Sequence, residues 1–578
     1  MSGGVQQNGA ISWHLQPDWA TRLLNQGGLP LKQWLESGQA SIVKNGEHRT
    51  VYRVDLPDRS VYVKHYRCTS LARAGRTLVR ASAARREFRK MQEVSRRHVP
   101  TVFPIGFGEM RRHGLVLDNY FVTEALAGAI PLDTCLEEYL PRYAPRQRAV
   151  LRHRLTHGVA QLCARLHTHG VVQDDLHAGN LLVVWEQRAD ERGDGSAPSR
   201  DAACQAGDTG LPWPRLHLID LPGVRFSRPL SWRRSRDNLV MLQAGMAAIT
   251  SRTDRWRFWR TYLAERADLQ LPCPRRAAAE VAAAATAFAC RNMRGRDRRA
   301  LRNNRDYQRL RLGRTRIHAV RDLSRDVLNE LAADPAGLLA QFQHQPLKLS
   351  HSSVVVQAEL RIGDTVQKVA WKRCRVSGWK RWLAPLRRSR AMAAWYHGQA
   401  LWQRGIPTAR PLCVLDPPGR DSFIATQWME GAENLHLFAW RIAELPRSQG
   451  EPIACAAAES LGTLIGSMHR WRIAHRDLKW GNLLAVQRGQ RVETALIDAD
   501  SIRIRRWLFR GERICNLARF ATSLVLHPAV RNSHRVRFLQ AYLAALGEDR
   551  DWKSLWRALT RQTNALLAKK QRRGWRQG

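Results

Sequence analysis

Three side chains with oxygen ligand atoms occur in the last third of the chain at a spacing that could place them in one site. Asp477 is followed five residues later by Asn482, and Asp498 ends the short apolar stretch 495–497. Carboxylate and amide oxygens are ligands that Mg²⁺ prefers, and a carboxylate can also take a proton from an attacking hydroxyl. The pattern predicts phosphoryl transfer, with Asp477 orienting the accepting hydroxyl and Asn482 and Asp498 holding Mg²⁺ against the ATP phosphates.

The same arrangement occurs a second time, nearer the N-terminus. Asp175 and Asn180 have the same spacing, and Asp220 ends a second Leu-Ile-Asp stretch. A single Asp or Asn is most often a surface or turn residue, but the joint pattern between apolar strands is much rarer. Its recurrence predicts two protein-kinase-like copies in tandem.

Each copy also offers a lysine at the end of an alternating apolar pattern. Lys64 and Lys372 are predicted to bind the α- and β-phosphates of ATP, and Glu87, on a predicted helix over 82–97, is predicted to hold Lys64. Matching the two helices places Ala394 opposite Glu87, so the second copy lacks this acid. The alternative for Lys64 is a solvated lysine at a strand edge, and for Glu87 a surface glutamate.

The two loops depart differently from the protein-kinase pattern. The second keeps His475 before its Asp and adds Lys479, predicted to contact the transferring phosphate. The first has Gln173 and Asp174 instead of His and Arg. Neither copy has a G-x-G-x-x-G loop, which leaves open how the phosphates are covered. A Gly- and Asp-rich insertion between Trp185 and Leu211 is predicted to be a surface loop without assigned chemistry.

The elements that must position these residues predict an α+β fold. Alternating stretches around the turns at 45–46 and 57–59 predict an antiparallel meander, and a helical pattern over 146–170 precedes the Asp175 loop. We expect tandem protein-kinase-like domains, each with a small β-rich N-lobe and a mostly helical C-lobe. The predicted boundaries are 1–270 for the first domain, 271–314 for a basic helical linker and 315–578 for the second domain.

The amino-acid composition indicates which classes of molecule the protein could bind. The 578 residues carry a formal net charge of +44, and 82 of the 94 basic residues are Arg. Arg binds phosphates and carboxylates with a two-pronged fork, so this surface favours a polyanion such as anionic lipid, phosphorylated glycan or nucleic acid. No signal peptide and no apolar run of about 18 residues is present. The chain is expected to be cytoplasmic, without a membrane span.

Together these residues resemble the lipopolysaccharide kinase family of core heptose and Kdo kinases. The resemblance rests on the two Asp-Leu-x-x-Gly-Asn loops, the two Leu-Ile-Asp strands and the segments 61–64 (VYVK), 86–88 (REF) and 405–412 (GIPTARPL). It implies an enzyme that uses ATP and Mg²⁺ or Mn²⁺ to phosphorylate sugar hydroxyls of the lipopolysaccharide inner core. It also implies an anionic glycolipid substrate and contact with the cytoplasmic face of the inner membrane.

Other readings stay open at this point. The chain could be a Ser/Thr protein kinase, or one domain could be a non-catalytic pseudokinase scaffold beside an active kinase. Nucleic-acid binding by charge alone is disfavoured, because it leaves the paired motifs without a role. The sequence does not specify the accepting hydroxyl or the oligomeric state.

Overall fold

The computed structural model describes most of the chain, as two compact units at 1–288 and 289–578. The described residues are 5–8, 10–26, 28–68, 77, 80–187, 210–246, 249–271, 273–341, 347–376, 388–524, 527, 530–547 and 552–572. Most of the predicted insertion between Trp185 and Leu211 therefore lies outside the described residues.

The N-terminal half of the first unit is a seven-stranded antiparallel sheet. Its spatial order is Val5–Asn8, Ile11–Leu15, Pro104–Arg112, Leu115–Glu124, Ser60–Arg67, Arg49–Asp55 and Ala40–Asn45. Within Ser60–Arg67, Val61 and Val63 are fully buried whereas Tyr62 and Lys64 are half-buried. This period of two is what the alternating sequence predicts, and it points Lys64 away from the core of the sheet.

Helices dominate the rest of the first unit. The longer helices are Pro17–Leu23, Leu31–Glu36, Ala83–Arg96, Pro145–Thr168, Trp232–Met246, Arg252–Glu265 and Pro274–Asp297, the last of which continues past residue 288. Two small sheets complete the C-lobe, formed by Ile130–Pro131, Leu181–Glu186 and Trp213–Leu218, and by Val171–Gln173 with Val224–Phe226. His167 is fully buried between the helices, where its Nδ1 lies 2.8 Å from the hydroxyl of Tyr262.

The second unit repeats this architecture with the same strand order. Its seven-stranded sheet runs Tyr307–Leu312, Thr315–Val320, Pro411–Asp416, Ser422–Gln427, Thr365–Cys374, Ser353–Ile362 and Lys348–Ser350. Its small sheets are Ala432–Asn434, Leu483–Arg488 and Arg491–Leu496, and Ile473–His475 with Ile502–Ile504. The prediction of an α+β fold with two β-rich N-lobes is confirmed.

The helices of the second unit occupy corresponding places in its chain order. They are Arg325–Ala333, Gly337–Gln341, Arg390–Trp402, Leu435–Glu444, Arg447–Arg470, Arg510–Thr522, Asn532–Leu546 and Trp552–Arg572. Gly466 allows the helix Arg447–Arg470 to pack closely against the helix Asn532–Leu546, because a Cβ there would meet the backbone oxygen of Tyr542 at 2.5 Å. His469 repeats the role of His167, with its Nδ1 2.9 Å from the Tyr542 hydroxyl.

Two predictions about local structure need correction. The range 271–314 was predicted as helical throughout, but Tyr307–Leu312 is a strand that pairs with Thr315–Val320. The predicted meander begins around the turn at 45–46, but Val5–Asn8 and Ile11–Leu15 form an antiparallel pair at the edge of the same sheet. The domain boundaries themselves stay a prediction.

Candidate active sites

In the first unit, Asp175 lies in the loop between the strand Val171–Gln173 and the turn at 178–180. The side chain of Asn180 donates from Nδ2 to the backbone oxygen of Asp175 at 2.9 Å, which closes the loop. The carboxylate of Asp175 is 81% exposed and lies 3.6 Å from Nε2 of His177. The loop therefore presents one carboxylate to solvent, where an acceptor can reach it.

Asp220 lies beside this loop because two hydrogen bonds hold it there. The backbone N–H of Ile219 donates to the carbonyl oxygen of Asn180 at 2.9 Å, and Nε2 of Gln173 donates to the carbonyl oxygen of Asp220 at 2.9 Å. Asp220 has a left-handed backbone, with φ 57°. Gln173, noted in the sequence only as a departure from His, thus has a positioning contact of its own.

Lys64 and Glu87 form an ion pair in the same unit. Nζ of Lys64 lies 2.6 Å from Oε1 of Glu87, and the other carboxylate oxygen of Glu87 accepts from the hydroxyl of Tyr66. Glu87 is 1% exposed, so solvent screens this pair little. Nζ of Lys64 is also 3.4 Å from Oδ1 of Asp220, which brings the predicted phosphate-binding and metal-binding residues together.

One residue at this site was missed by the sequence reasoning. Arg49 begins the strand Arg49–Asp55, and its Nη1 lies 3.4 Å from Oδ1 of Asp220. Burial alone would raise the pKa of Asp220, but Lys64 and Arg49 together hold it below its usual range. The available signal was an Arg directly after the turn that begins at Gly46, where a kinase with a glycine-rich loop covers its phosphates.

The second unit builds its Asp loop in the same way. Nδ2 of Asn482 donates to the backbone oxygen of Asp477 at 2.7 Å, and the N–H of Ile497 donates to the carbonyl oxygen of Asn482 at 2.9 Å. Nζ of Lys479 lies 2.8 Å from Oδ2 of Asp477. Lys479 therefore stands next to the predicted base, where the first unit has His177.

The lysine of the second unit is held differently. Nζ of Lys372 lies 2.5 Å from Oδ1 of Asp498, and this carboxylate raises the pKa of Lys372 although burial opposes the shift. Ala394 occupies the helix position of Glu87, since Ser82 and Ser389 cap the two helices at the same distance before them. The predicted absence of an acid there agrees with the Lys372–Asp498 contact.

A second ion pair in this unit joins the helix Arg390–Trp402 to the turn that follows Asp498. Nε of Arg390 donates to Oδ2 of Asp500 at 2.8 Å, and Asp500 is buried. The sequence reasoning singled out neither residue, although an Asp two positions after Asp498 is a visible signal. Like Asp220, Asp498 has a left-handed backbone, with φ 65°.

The donor atoms of both sites fit a hard divalent cation. In each unit the amide nitrogen of the Asn is used within the loop, which leaves its oxygen as the ligand atom beside a carboxylate. An oxygen-only set of carboxylate and amide, completed by substrate phosphates and water, is the usual environment of Mg²⁺ in phosphotransferases. The residues at these positions are Asn180 with Asp220 and Asn482 with Asp498.

Comparison with known proteins identifies the family. The sequence pattern of the lipopolysaccharide kinase (Kdo/WaaP) family matches residues 33–194 and 364–542, which together exceed half of the chain. The chain belongs to this family. The predictions of two kinase-like copies and of an ATP-dependent phosphotransferase acting on lipopolysaccharide are therefore confirmed, and the two matched segments fall one in each compact unit.

Individual relatives are distant. The lipopolysaccharide core heptose(I) kinase WaaP of Pseudomonas aeruginosa is 24% identical over 234 residues, which are 39% of this chain and 78% of the relative. WaaP of Escherichia coli K12 is 24% identical over 225 residues, 37% of this chain and 75% of the relative. Among solved structures, WaaP in complex with acyl carrier protein is 22% identical, covers 46% of this chain and 98% of its own, and has a TM-score of 0.30. The kinase domain of maize SIRK1 bound to AMP-PNP is 17% identical, with 42% and 74% coverage and a TM-score of 0.21.

Proposed function

We propose that this kinase transfers the γ-phosphoryl group of ATP to a sugar hydroxyl of the lipopolysaccharide inner core, and that the first unit carries a complete site. The observation behind this assignment is that Lys64 contacts both Glu87 and Asp220. The curated relatives act on a core heptose by name, which favours a sugar over a protein acceptor.

The residues of the first unit divide the chemistry between them. The acceptor hydroxyl donates its proton to the exposed carboxylate of Asp175 as its oxygen attacks the γ-phosphorus, and ADP departs with the bridging oxygen. Lys64, held by Glu87, neutralises charge on the α- and β-phosphates. Asn180 and Asp220 would hold Mg²⁺ or Mn²⁺, which supplies charge neutralisation at the phosphates when bound.

The second unit has a different balance of residues. It offers Lys479 beside Asp477 for the transferring phosphate, but its Lys372 has a metal carboxylate rather than a helix glutamate as partner. We infer a second nucleotide site with slower turnover than the first. A non-catalytic scaffold is the other candidate, and the same Lys372–Asp498 contact favours it.

A direct test separates these assignments. The full-length chain is incubated with labelled ATP and Mg²⁺, with lipopolysaccharide in one reaction and casein or histone in another. Asp175→Asn should abolish most labelling of the sugar, and Asp477→Asn should remove a smaller part. Asp174→Asn is the matched control, because Asp174 is the neighbouring residue and its carboxylate pairs with Arg225.

The outcomes point in different directions. Loss of label only with Asp477→Asn would assign turnover to the second unit and refute our assignment to the first. Label on protein alone would make the chain a protein kinase. Label that survives both substitutions together would refute both predicted bases.

We also propose that the protein works at the cytoplasmic face of the inner membrane, where its glycolipid substrate is anchored. In the described part of the chain no helix is both long and apolar enough to cross a bilayer. Trp507 and Phe509 are 55% and 72% exposed, and they lie among the basic residues of the segment after Asp498, namely Arg503, Arg505, Arg506 and Arg510. Aromatic rings and arginines together suit an anionic lipid interface.

Vesicle binding tests this contact. The full-length protein should sediment with vesicles rich in phosphatidylglycerol and much less with phosphatidylcholine vesicles. Replacing Trp507 and Phe509 with Ser should weaken the binding by about 30-fold or more, since each of the two buried rings contributes on the order of 1–2 kcal/mol. Trp256→Ser, at another exposed tryptophan, should change it little. Equal effects of the two changes would contradict this surface.

A further inference from the structure

In the first unit, Arg49 extends from a β-hairpin beside the site and contacts the carboxylate of Asp220, the predicted metal ligand. This hairpin is formed by Ala40–Asn45 and Arg49–Asp55, and Arg49 is the first residue of its second strand. Protein kinases place a glycine-rich loop at this hairpin and bind phosphates with its backbone N–H groups. Because neither unit has such a loop, the phosphates need another donor here.

Arg49 interacts with the side chain of Tyr66 as well as with Asp220, and its ion pair with Asp220 is long. Its Nη1 and the Nζ of Lys64 both lie 3.4 Å from the same oxygen, Oδ1 of Asp220. Both distances exceed the 2.7–2.9 Å that a charge-assisted hydrogen bond prefers. The side chain of Arg49 is 27% exposed, and its Nη1 points toward the carboxylate of Asp220 at the site.

Charge balance indicates what that partner is. Arg49 and Lys64 carry two positive charges, and Glu87 and Asp220 carry two negative charges. With the carboxylate of Asp220 engaged as a metal ligand, Arg49 would be left without a carboxylate partner, whereas Lys64 would keep Glu87, which lies 2.6 Å away. Arg49 then needs an anion that arrives together with the metal, and the nucleotide phosphates are that anion.

We propose that Arg49 binds the β- and γ-phosphates of ATP and takes the place of the missing glycine-rich loop. The proposal rests on the first unit being a nucleotide site, as argued above. A guanidinium is suited to this task because its planar fork donates two parallel hydrogen bonds to phosphate oxygens.

The second unit provides an internal comparison. Val51 pairs with Lys64 in the first sheet, and Val355 pairs with Lys372 in the second. Counting back two residues in each strand places Ser353 at the position of Arg49. Ser353 is buried and its hydroxyl lies 3.1 Å from the hydroxyl of Ser350. The Arg49 position thus distinguishes the two units, and Arg49→Ser gives the first unit the residue of the second.

Equilibrium binding is the main test, because it does not depend on turnover. The full-length chain carrying Lys372→Met, which weakens the second site, is titrated with ATP, ADP and AMP in the presence of Mg²⁺ and without an acceptor sugar. Arg49→Ser should weaken ATP and ADP about 10- to 100-fold, the range expected for a lost charged hydrogen bond, and leave AMP unchanged. Arg49→Lys should lie between, and Arg53→Ser, on the same strand but paired with Asp55, should match the parent.

The same titrations can overturn the proposal. Unchanged ATP affinity in Arg49→Ser, or an equal loss for AMP and ATP, would show that Arg49 does not contact the outer phosphates. If Arg49→Ser unfolds at assay temperature, Arg49→Lys decides: it keeps the charge and loses the fork, so several-fold weaker ATP binding supports the proposal and parental binding refutes it.

Kinetics separates this proposal from the assignment of function. In an Asp477→Asn background only the first site can turn over, and Arg49→Ser should then raise the KM for ATP about tenfold or more. Absence of turnover in the Asp477→Asn parent would refute the first unit as the working site. The binding titrations would still decide the role of Arg49.

Discussion

Replacing Glu87 with Gln should convert the lysine contact of the first unit into that of the second. Gln keeps the size of the side chain and one acceptor oxygen, but it removes the charge that holds Lys64 at 2.6 Å. Nζ of Lys64 then has Asp220, now 3.4 Å away, as its remaining carboxylate. Lys372 shows the expected end point, a direct 2.5 Å contact with the metal-side Asp498.

The size of the effect follows from the contacts of Glu87. Its carboxylate accepts one hydrogen bond from the ammonium of Lys64 and one from the hydroxyl of Tyr66. A hydrogen bond to a charged group contributes about 1.5–3 kcal/mol, and a neutral one about 0.5–1.5 kcal/mol. Losing the charge at both bonds costs about 2–3 kcal/mol of Lys64 positioning, which is about 30- to 150-fold in kcat/KM.

The assay is label transfer from ATP to lipopolysaccharide by full-length protein in the Asp477→Asn background, so that only the first site contributes. Higher Mg²⁺ should be needed for half-maximal rate, since Lys64 would compete for Asp220. Glu93→Gln is the matched control, because Glu93 lies on the same helix and pairs with Arg97 at 2.9 Å away from the site. A rate within twofold of the control would refute the role given to Glu87.

Three further predictions follow from single features. Burial lowers the pKa of His167 from 6.5 to about 3, so the imidazole takes up a proton more readily in the unfolded chain than in the folded one. The free energy of unfolding should therefore fall as the pH drops below about 6.5, by about 2 kcal/mol at pH 5. His167→Gln should reduce this loss, as measured by thermal unfolding at several pH values. Gly466→Ala should destabilise the second unit by about 1–3 kcal/mol in denaturant unfolding, because its Cβ would meet Tyr542, whereas Gly245→Ala, with open space around it, should not. Chelation of divalent metal should abolish label transfer, and added Mg²⁺ or Mn²⁺ should restore it; transfer that persists in chelator would contradict an oxygen-ligand metal site.

The sequence predicted the short-range parts of the site well. The spacing Asp175–Asn180 and its repeat at Asp477–Asn482 describe a closed loop whose amide bonds back to the Asp carbonyl, so the pattern is local and readable. The strand that carries Lys64 was equally predictable, because the sequence alternates with a period of two and the burial of its residues follows that alternation.

The remaining contacts could not be predicted because they join distant residues through the fold. Arg49 and Asp220 are 171 residues apart, and their approach depends on the hairpin and the metal-side strand meeting at one site. Arg390 and Asp500 are likewise 110 residues apart. The edge strand Val5–Asn8 was missed for another reason: its Gln-rich, polar text lacks the alternation that marks a half-buried strand.

The left-handed backbone at Asp220 and Asp498 bears on how inactive variants should be made. Apart from Gly, the residues that tolerate this conformation best are Asn and Asp, whereas a residue such as Ala adopts it only with steric strain. An alanine at either position therefore changes two properties at once, the ligand oxygen and the path of the main chain. Asparagine keeps the path and removes only the negative charge, which makes it the cleaner way to silence one half of the enzyme while the other is measured.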